Sequence, residues 1–291
     1  MGRLIVDGAA QKTDSRDEIA SRYDRDGFYF PINAMPEDAT QVVRDDLEAA
    51  ETELADDPER LGLLRSYPDR LLPSFDALAR NPHLIHAASA VLGPDLLVWS
   101  ASLFIKEANS EKIVSWHQDL TYWGLDDAEE TTCWVALSPA NLASGCMKFV
   151  PGSHKKRLVP HVDTFAENNL LTRGQEITVD VDEADGVAVE LQTGQASMHH
   201  GHLFHASGPN TTSDRRIGSA IRYIKPSMKQ TSGDRALVAL VSGEDRFGNF
   251  TIADAPRGRL SEHDFELCRQ DAAVRRRILY QGAEEAKGTR Y

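Results

Sequence analysis

From Leu96 to Ile224 the chain breaks into short runs rich in Val, Ile, Trp and Phe, separated by Gly, Pro, Asn and Asp. The runs fall at 96–105, 113–119, 131–137, 146–150, 187–191, 195–200 and 217–224. Many short strands with turn chemistry between them predict a closed sandwich or barrel of the jelly-roll type. The segment 158–185 has few strand formers and many charges, which predicts a long loop over one mouth of the barrel. Loops of that length without structure are uncommon and often functional.

The flanks read as helical. A flexible lead over 1–15, with an apolar patch at Leu4-Ile5-Val6, precedes a charged helix over 16–26 that stops at Gly27. Phe28-Tyr29-Phe30 reads as a strand that Pro31 closes. A surface helix is predicted over 37–56, with Val42, Val43, Leu47 and Leu54 as inward positions. Another is predicted over 82–92, with Leu84, Ile85, Ala88 and Val91 on its apolar face and Gly93-Pro94 at its end. A last helix is expected over 261–275, then a loose charged tail after Gly282, with no internal repeat. The expected fold class is mainly β with flanking helices, one domain over 1–291. It would comprise helical N-terminal support (about 16–93), a jelly-roll core (about 94–226) and a C-terminal extension (about 227–291).

Charge and cysteine content narrow the function. At 291 residues the chain can bury a sizeable core, and its net charge is -13. The basic residues form no stripe or tail, which argues against nucleic acid and anionic membrane surfaces as partners. An acidic surface can still enclose a basic site. Cys133, Cys146 and Cys268 are too few for a disulfide scaffold, so a reducing cytoplasm is the expected setting. There is no signal-peptide core and no apolar run long enough to span a bilayer. A monomer or homodimer acting on a small molecule is expected.

The chemistry-bearing motif is Trp116-His117-Gln118-Asp119. On an extended strand, side chains two apart leave on the same face. A further imidazole from a distant strand would complete a two-histidine, one-carboxylate face, the pattern of non-haem Fe(II) oxygenases. Trp116, Trp123 and Trp134 predict an apolar wall beside the carboxylate, which then needs a cation or donors. His199, His200, His202 and His205 all compete for the remaining ligand position, and spacing alone does not choose.

The segments WHQDLTYW (116–123), GCMKFVPGSHK (145–155), TGQASMHHGHLFHASGPN (193–210) and DRRIGSAIRYI (214–224) resemble the phytanoyl-CoA dioxygenase family. The resemblance covers about 18–252 and fails in the 158–185 loop. It implies a double-stranded β-helix (cupin-like jelly roll) with Fe(II) as cofactor and 2-oxoglutarate and O2 as co-substrates. By the same resemblance His117, Asp119 and His205 are the metal ligands. Arg216, eleven residues after His205, would meet the distal carboxylate of 2-oxoglutarate, with Ser207 and Trp134 beside it. A dicarboxylate needs such a guanidinium fork. Arg215 and Arg222 are alternatives; on one strand Arg216 and Arg222 share a face and Arg215 points away.

Halogenating relatives replace the carboxylate with a small residue, so Asp119 implies hydroxylation of an unactivated C–H instead, with release of succinate and CO2. The substrate would be a small metabolite such as a natural-product intermediate. The alternatives are desaturation, cyclisation or epimerisation at the same centre, a zinc or manganese cupin, and a non-catalytic jelly-roll binding module. A binding module would lack a ligand or the arginine, and here neither is missing. Tyr122, Trp123, Lys106 and Met147 are the candidate substrate contacts. His154 in its turn, Cys146 and the Asp245-Arg246 pair read as structural.

Overall fold

The computed structural model describes residues 14–171 and 173–279; the Leu4–Val6 patch and the tail after Gly282 lie outside the described residues. Helix α1 (Arg16–Asp26) opens on a capping box between Ser15 and Glu18 and ends at Gly27, whose φ of 85° suits only glycine well. Strand β1 (Phe28–Asn33) follows. It continues through Pro31, where the sequence predicted a stop. The strand lies at the sheet edge with an irregular register between Tyr29 and Ile32, a setting that tolerates a missing N–H.

Helix α2 (Glu37–Glu53) buries Thr40, Val43, Leu47 and Ala50. Val42 is 65% exposed, contrary to the sequence reading, because it falls off the three-to-four-residue stripe that Val43 and Leu47 define. Three helices that the sequence reading did not assign come next: α3 (Pro58–Ser66), α4 (Pro68–Leu71) and α5 (Pro73–Ala79). Each starts with proline at its first position, where a missing N–H costs nothing. Helix α6 (Pro82–Leu92) completes the N-terminal layer.

The strands are β2 (Leu96–Lys106), β3 (Val114–His117), β4 (Glu130–Ala136), β5 (Met147–Phe149), β6 (His161–Asp163), β7 (Gln175–Ile177), β8 (Val187–Val189), β9 (Gln195–His199), β10 (His205–Ser207), β11 (Arg216–Ile224), β12 (Leu237–Ser242) and β13 (Thr251–Ile252). Helix α7 (Glu262–Leu279) ends the described chain. A seven-stranded sheet in the order β1-β9-β4-β11-β2-β12-β13 faces a four-stranded sheet in the order β3-β10-β5-β8. This is the expected jelly roll.

The segment 158–185 is not structureless. Its β6 and β7 form an antiparallel pair, and the Ser115 hydroxyl donates to the Gln175 carbonyl at 2.6 Å. These strands owe their form to docking against β3, so local composition conceals them. Strand β3 is shorter than predicted: it ends at His117, and Asp119 opens a single 3-10 turn to Tyr122.

Strand alternation sorts the large sheet into two faces. Cys133, Val135, Ala196, Met198, Ile217, Ile221 and Tyr223 point outward into the apolar core shared with the helices. Trp134 and Ala220 belong to the inner cluster with Phe149 and Val189 of the small sheet. The C-terminal helix is tied into this assembly through buried polar groups. Asp271 accepts from Tyr67 at 3.0 Å and from the Leu237 N–H at 2.6 Å, while Arg275 donates to Asp271 and to the carbonyls of Trp99 and Leu237. Among the described residues no helix is long and apolar enough to cross a membrane.

Removing one partner from a buried ion pair strands the other, which typically costs about 3–5 kcal/mol. Arg275→Ala is therefore expected to lower unfolding free energy by about that amount. Urea denaturation followed by circular dichroism checks this; a change below about 0.5 kcal/mol, the scale of an ordinary surface substitution, would show that α7 is only loosely attached.

Candidate metal centre and co-substrate pocket

Antiparallel pairing of β3 with β10 sets His117 directly opposite His205, with ring centroids 4.0 Å apart. Each imidazole is fixed from behind by a carbonyl two residues upstream: His117 Nδ1 to Ser115 O at 2.9 Å, His205 Nδ1 to Leu203 O at 3.0 Å. A carbonyl only accepts, so each Nδ1 carries the proton and each Nε2 keeps a lone pair for a cation.

Gln118 is extended and delivers Asp119 to the same face. Asp119 Oδ1 lies 3.4 Å from His117 Nε2 and 3.8 Å from His205 Nε2. Its other oxygen meets Thr132 Oγ1 at 3.4 Å and His199 Nε2 at 3.6 Å. One ligand atom from each of His117, Asp119 and His205 lies within 4.8 Å of the others.

Burial alone would raise the Asp119 pKa, but the surrounding His117, His199 and His205 side chains and the Arg222 charge outweigh it and hold the carboxyl well below its usual range. Burial, then the nearby His117, pushes His205 well down. A carboxylate beside two imidazoles is a donor set that fits a divalent ion.

The competing histidines separate clearly. Alternation along β9 brings His199 inward, where it lies against the outer oxygen of Asp119 rather than between the other two imidazoles. His200 instead packs against His202 and His154, with ring centroids at 5.0 and 5.4 Å. His154 stays outside the centre, as its turn position implied.

A cleft of about 420 Å³ runs from this centre between the sheets, lined in part by Trp134, Met147, Ser207 and Arg216. Arg216 is buried at its far end with its guanidinium 5.1 Å from the Trp134 ring, and among the described residues its Nε and Nη2 have no hydrogen-bond partner. Burial pushes its pKa down to about 10, so it stays charged at neutral pH. Arg215 points the other way, into ion pairs with Glu51 and Glu107.

Lys106 lies across the strand pair from Arg216 and is fully buried. Its ammonium nitrogen donates to Ser207 Oγ at 2.7 Å and to the Gly208 carbonyl. Since Ser207 accepts from the lysine, its own proton is free to donate into the cleft. Lys106 thus lies beside Arg216 at the far end, although its sequence position suggested a substrate contact at the barrel mouth. Met147 pairs in register with Ser207 and lines the cleft wall.

Tyr122 sits edge-on to His161 at 5.6 Å and beneath Arg173 at 4.8 Å, on the side of the β6–β7 pair. Trp123 stacks on Trp99 at 4.9 Å. Gln118 is a positioning residue that the sequence reading passed over. Its side-chain amide donates to the carbonyls of Arg157 and His202 at 2.6 Å each and accepts from the Val159 N–H at 2.9 Å. Its place between two ligands was a usable signal, since the alternate side chain must leave on the opposite face.

Fold and site together define a jelly-roll protein with a two-histidine, one-carboxylate centre and a buried arginine at the end of the adjoining cleft. The chain belongs to the phytanoyl-CoA dioxygenase (PhyH) family, whose profile matches residues 23–218. Members of this family depend on Fe(II), 2-oxoglutarate and O2. The solved structure of the non-heme monooxygenase ThoJ in its apo form is 33% identical, with a TM-score of 0.82 over 90% of this chain and 98% of that one. A Caenorhabditis elegans protein named "Probable phytanoyl-CoA dioxygenase" is 26% identical over 250 residues, 77% of this chain and 80% of its own length. The ectoine dioxygenase of Bordetella parapertussis is 28% identical over 167 residues, about half of each chain (52% and 54%).

The Trp134 indole lies flat on Gly218, where an added Cβ would stand 1.8 Å from the ring. Gly218→Ala is therefore expected to displace Trp134 and weaken 2-oxoglutarate binding at least tenfold, or about 1.4 kcal/mol. Calorimetric titration checks it; unchanged affinity would remove Trp134 from the co-substrate wall.

Burial, then the neighbouring Arg216, pushes Lys106 down to about 6, so the free protein holds it neutral at pH 8. A dianion arriving beside it favours the ammonium, so binding takes up a proton at pH 7–8. Affinity for 2-oxoglutarate should then tighten by up to about tenfold per unit as pH falls from 8 toward 6, and level off below. Calorimetry in buffers of different ionisation enthalpy reads the proton directly. Lys106→Met should abolish the uptake; uptake that survives this change would place the proton elsewhere.

Proposed function

We propose that this protein is an Fe(II)- and 2-oxoglutarate-dependent hydroxylase that acts on an unactivated C–H bond of a small metabolite. The observation that carries the reading is one cleft with complementary ends. At one end lie His117, Asp119 and His205, and at the other a buried arginine whose Nε–Nη2 edge has no hydrogen-bond partner among the described residues. That edge is the planar fork that pairs side-on with a carboxylate.

In this reading His117, Asp119 and His205 hold the iron, with Asp119 presenting Oδ1 while Thr132 and His199 restrain Oδ2. Bound there, Fe(II) supplies the coupling of O2 reduction and 2-oxoglutarate decarboxylation to oxidation of the substrate. Arg216 fixes the distal carboxylate of the co-substrate, and the Ser207 hydroxyl, oriented by Lys106, donates to the same group. Trp134 and Met147 wall the keto-acid chain and exclude water. The carboxylate of Asp119 fills the coordination position that a halide would need, which favours hydroxylation over halogenation. ThoJ, the relative most alike in structure and length among those described here, is itself a monooxygenase by name, and a nickel complex of it has been solved. Among the described residues the lining of the cleft holds no lysine, and no arginine besides Arg216 and Arg222, to grip a coenzyme A nucleotide, which favours a small free metabolite.

Anaerobic titration of the protein with Fe(II) and 2-oxoglutarate is expected to produce the visible charge-transfer band of a chelated keto acid. His117→Ala should lose the band and succinate formation by more than the roughly 10–100-fold typical of an outer-sphere substitution. If His117→Ala kept both, the ligand assignment would be wrong. Screening metabolites for 2-oxoglutarate-dependent succinate release, with mass analysis of products, then separates the outcomes. Gain of one oxygen supports hydroxylation; loss of two hydrogens or an unchanged mass points to desaturation or epimerisation.

A further inference from the structure

The inner face of β11 presents a second arginine that the co-substrate does not use. Arg216, Gly218, Ala220 and Arg222 alternate onto that face, and Arg222 pairs in register with Ser100 on one side and Thr132 on the other. Thr132 in turn pairs with His199. Arg222 therefore stands in the sheet row that faces the outer oxygen of Asp119, at the metal end of the cleft, and it lines that cleft.

Its surroundings leave one edge open. Nη1 donates to Ser102 Oγ at 2.8 Å and Ser100 Oγ at 3.3 Å. The guanidinium carbon lies 5.1 Å from the Trp123 ring and 6.0 Å from the Phe104 ring. The residue is only 8% exposed, and among the described residues neither Nε nor Nη2 has a hydrogen-bond partner. The unused Nε–Nη2 edge is the same fork that Arg216 offers at the other end.

Among the described residues no carboxylate forms an ion pair with it. Asp119 and Glu130 are near enough to act on it electrostatically, yet neither forms an ion pair with it. Glu130 is committed to the Gly201 N–H, and burial together with Asp119 pushes its pKa well up, which disfavours its charged form. With the metal and co-substrate in place, a divalent ion, Arg216 and the protonated Lys106 carry one positive charge more than Asp119 and the doubly charged keto acid supply. The charge of Arg222 is then left without a counterion in a buried site, which is costly unless an anion arrives.

We propose that Arg222 anchors the substrate by a carboxylate, gripped side-on through Nε and Nη2 beside the metal centre. Trp123 and Phe104 form the apolar walls around that grip, and Ser100 and Ser102 hold the fork in place from behind. The substrate class is a small organic acid whose reacting carbon lies a short reach from its carboxylate. This assignment rests on the oxygenase reading above.

The test is calorimetric titration of the full-length protein, anaerobic and loaded with Fe(II) and 2-oxoglutarate so that Arg216 is occupied. The probes are benzoate and acetate, with benzamide and acetamide as their neutral counterparts. The wild-type protein is expected to prefer at least one anion over its amide by tenfold or more. Arg222→Met should erase the preference and Arg222→Lys keep part of it, both with unchanged affinity for 2-oxoglutarate. Absence of any preference in the wild-type protein would overturn the anchor, as would weaker 2-oxoglutarate binding in Arg222→Met, which would assign Arg222 to the co-substrate. A wild-type protein that shows no charge-transfer band with Fe(II) and 2-oxoglutarate would overturn the oxygenase reading and the anchor together.

Discussion

The register that places His205 against His117 is the constraint on which the site depends. Two imidazoles converge because two short strands run antiparallel with these residues directly opposed. A slip of one residue would turn one ring to the other face of the sheet. Short strands fix register weakly by themselves, so other contacts must hold it. The upstream carbonyls of Ser115 and Leu203 fix the rings. The pairing of β10 with β5 on its far side adds a second ladder to the same three residues. Gln118 then bonds the carbonyl of His202, three residues before the distal histidine, and so links the two ligand strands again.

The large sheet extends this logic by alternation. On β11 the odd-numbered residues Ile217, Ile221 and Tyr223 pack against the helical layer, and the even-numbered ones face the cleft. The register shift after Arg222 changes the parity of β2, whose successive partners there are Ser100 and Val98, while β11 keeps one alternation past it. The small residues Gly218 and Ala220 leave room between the two arginines, and the Trp134 indole lies against Gly218. One strand thus sets the length of the cleft and the charge at both its ends.

Strand-rich texture and the His-x-Asp spacing made the jelly roll and half of the metal face legible in the sequence. The face shared by Arg216 and Arg222, with Arg215 excluded, followed from period-two alternation alone. The choice among four histidines did not, because spacing cannot say that β9 ends at His199 and that the next residues turn away toward His154. Residues 161–163 and 175–177 escaped notice because their pairing depends on β3, a contact more than forty residues away. The prolines at 58, 68 and 73 marked three helix starts that apolar periodicity, too brief in each segment, did not register. Val42 misled for the opposite reason, since an apolar residue next to a stripe resembles a member of it.

Net charge gave no hint of the site's polarity. The chain carries -13 overall, yet Lys106, Arg216 and Arg222 are all buried on the inner face of two neighbouring strands. Much of the acidic excess lies on exposed helical surface, where water and salt screen it. Inside the sheets, the same unit charges act at low dielectric and have few partners. An interior of this kind is stable only where cations, a metal and anionic ligands arrive in balance. Among the described residues Asp119 is the one acid that lines that cleft. The remaining negative charge has to come from the molecules the cleft binds.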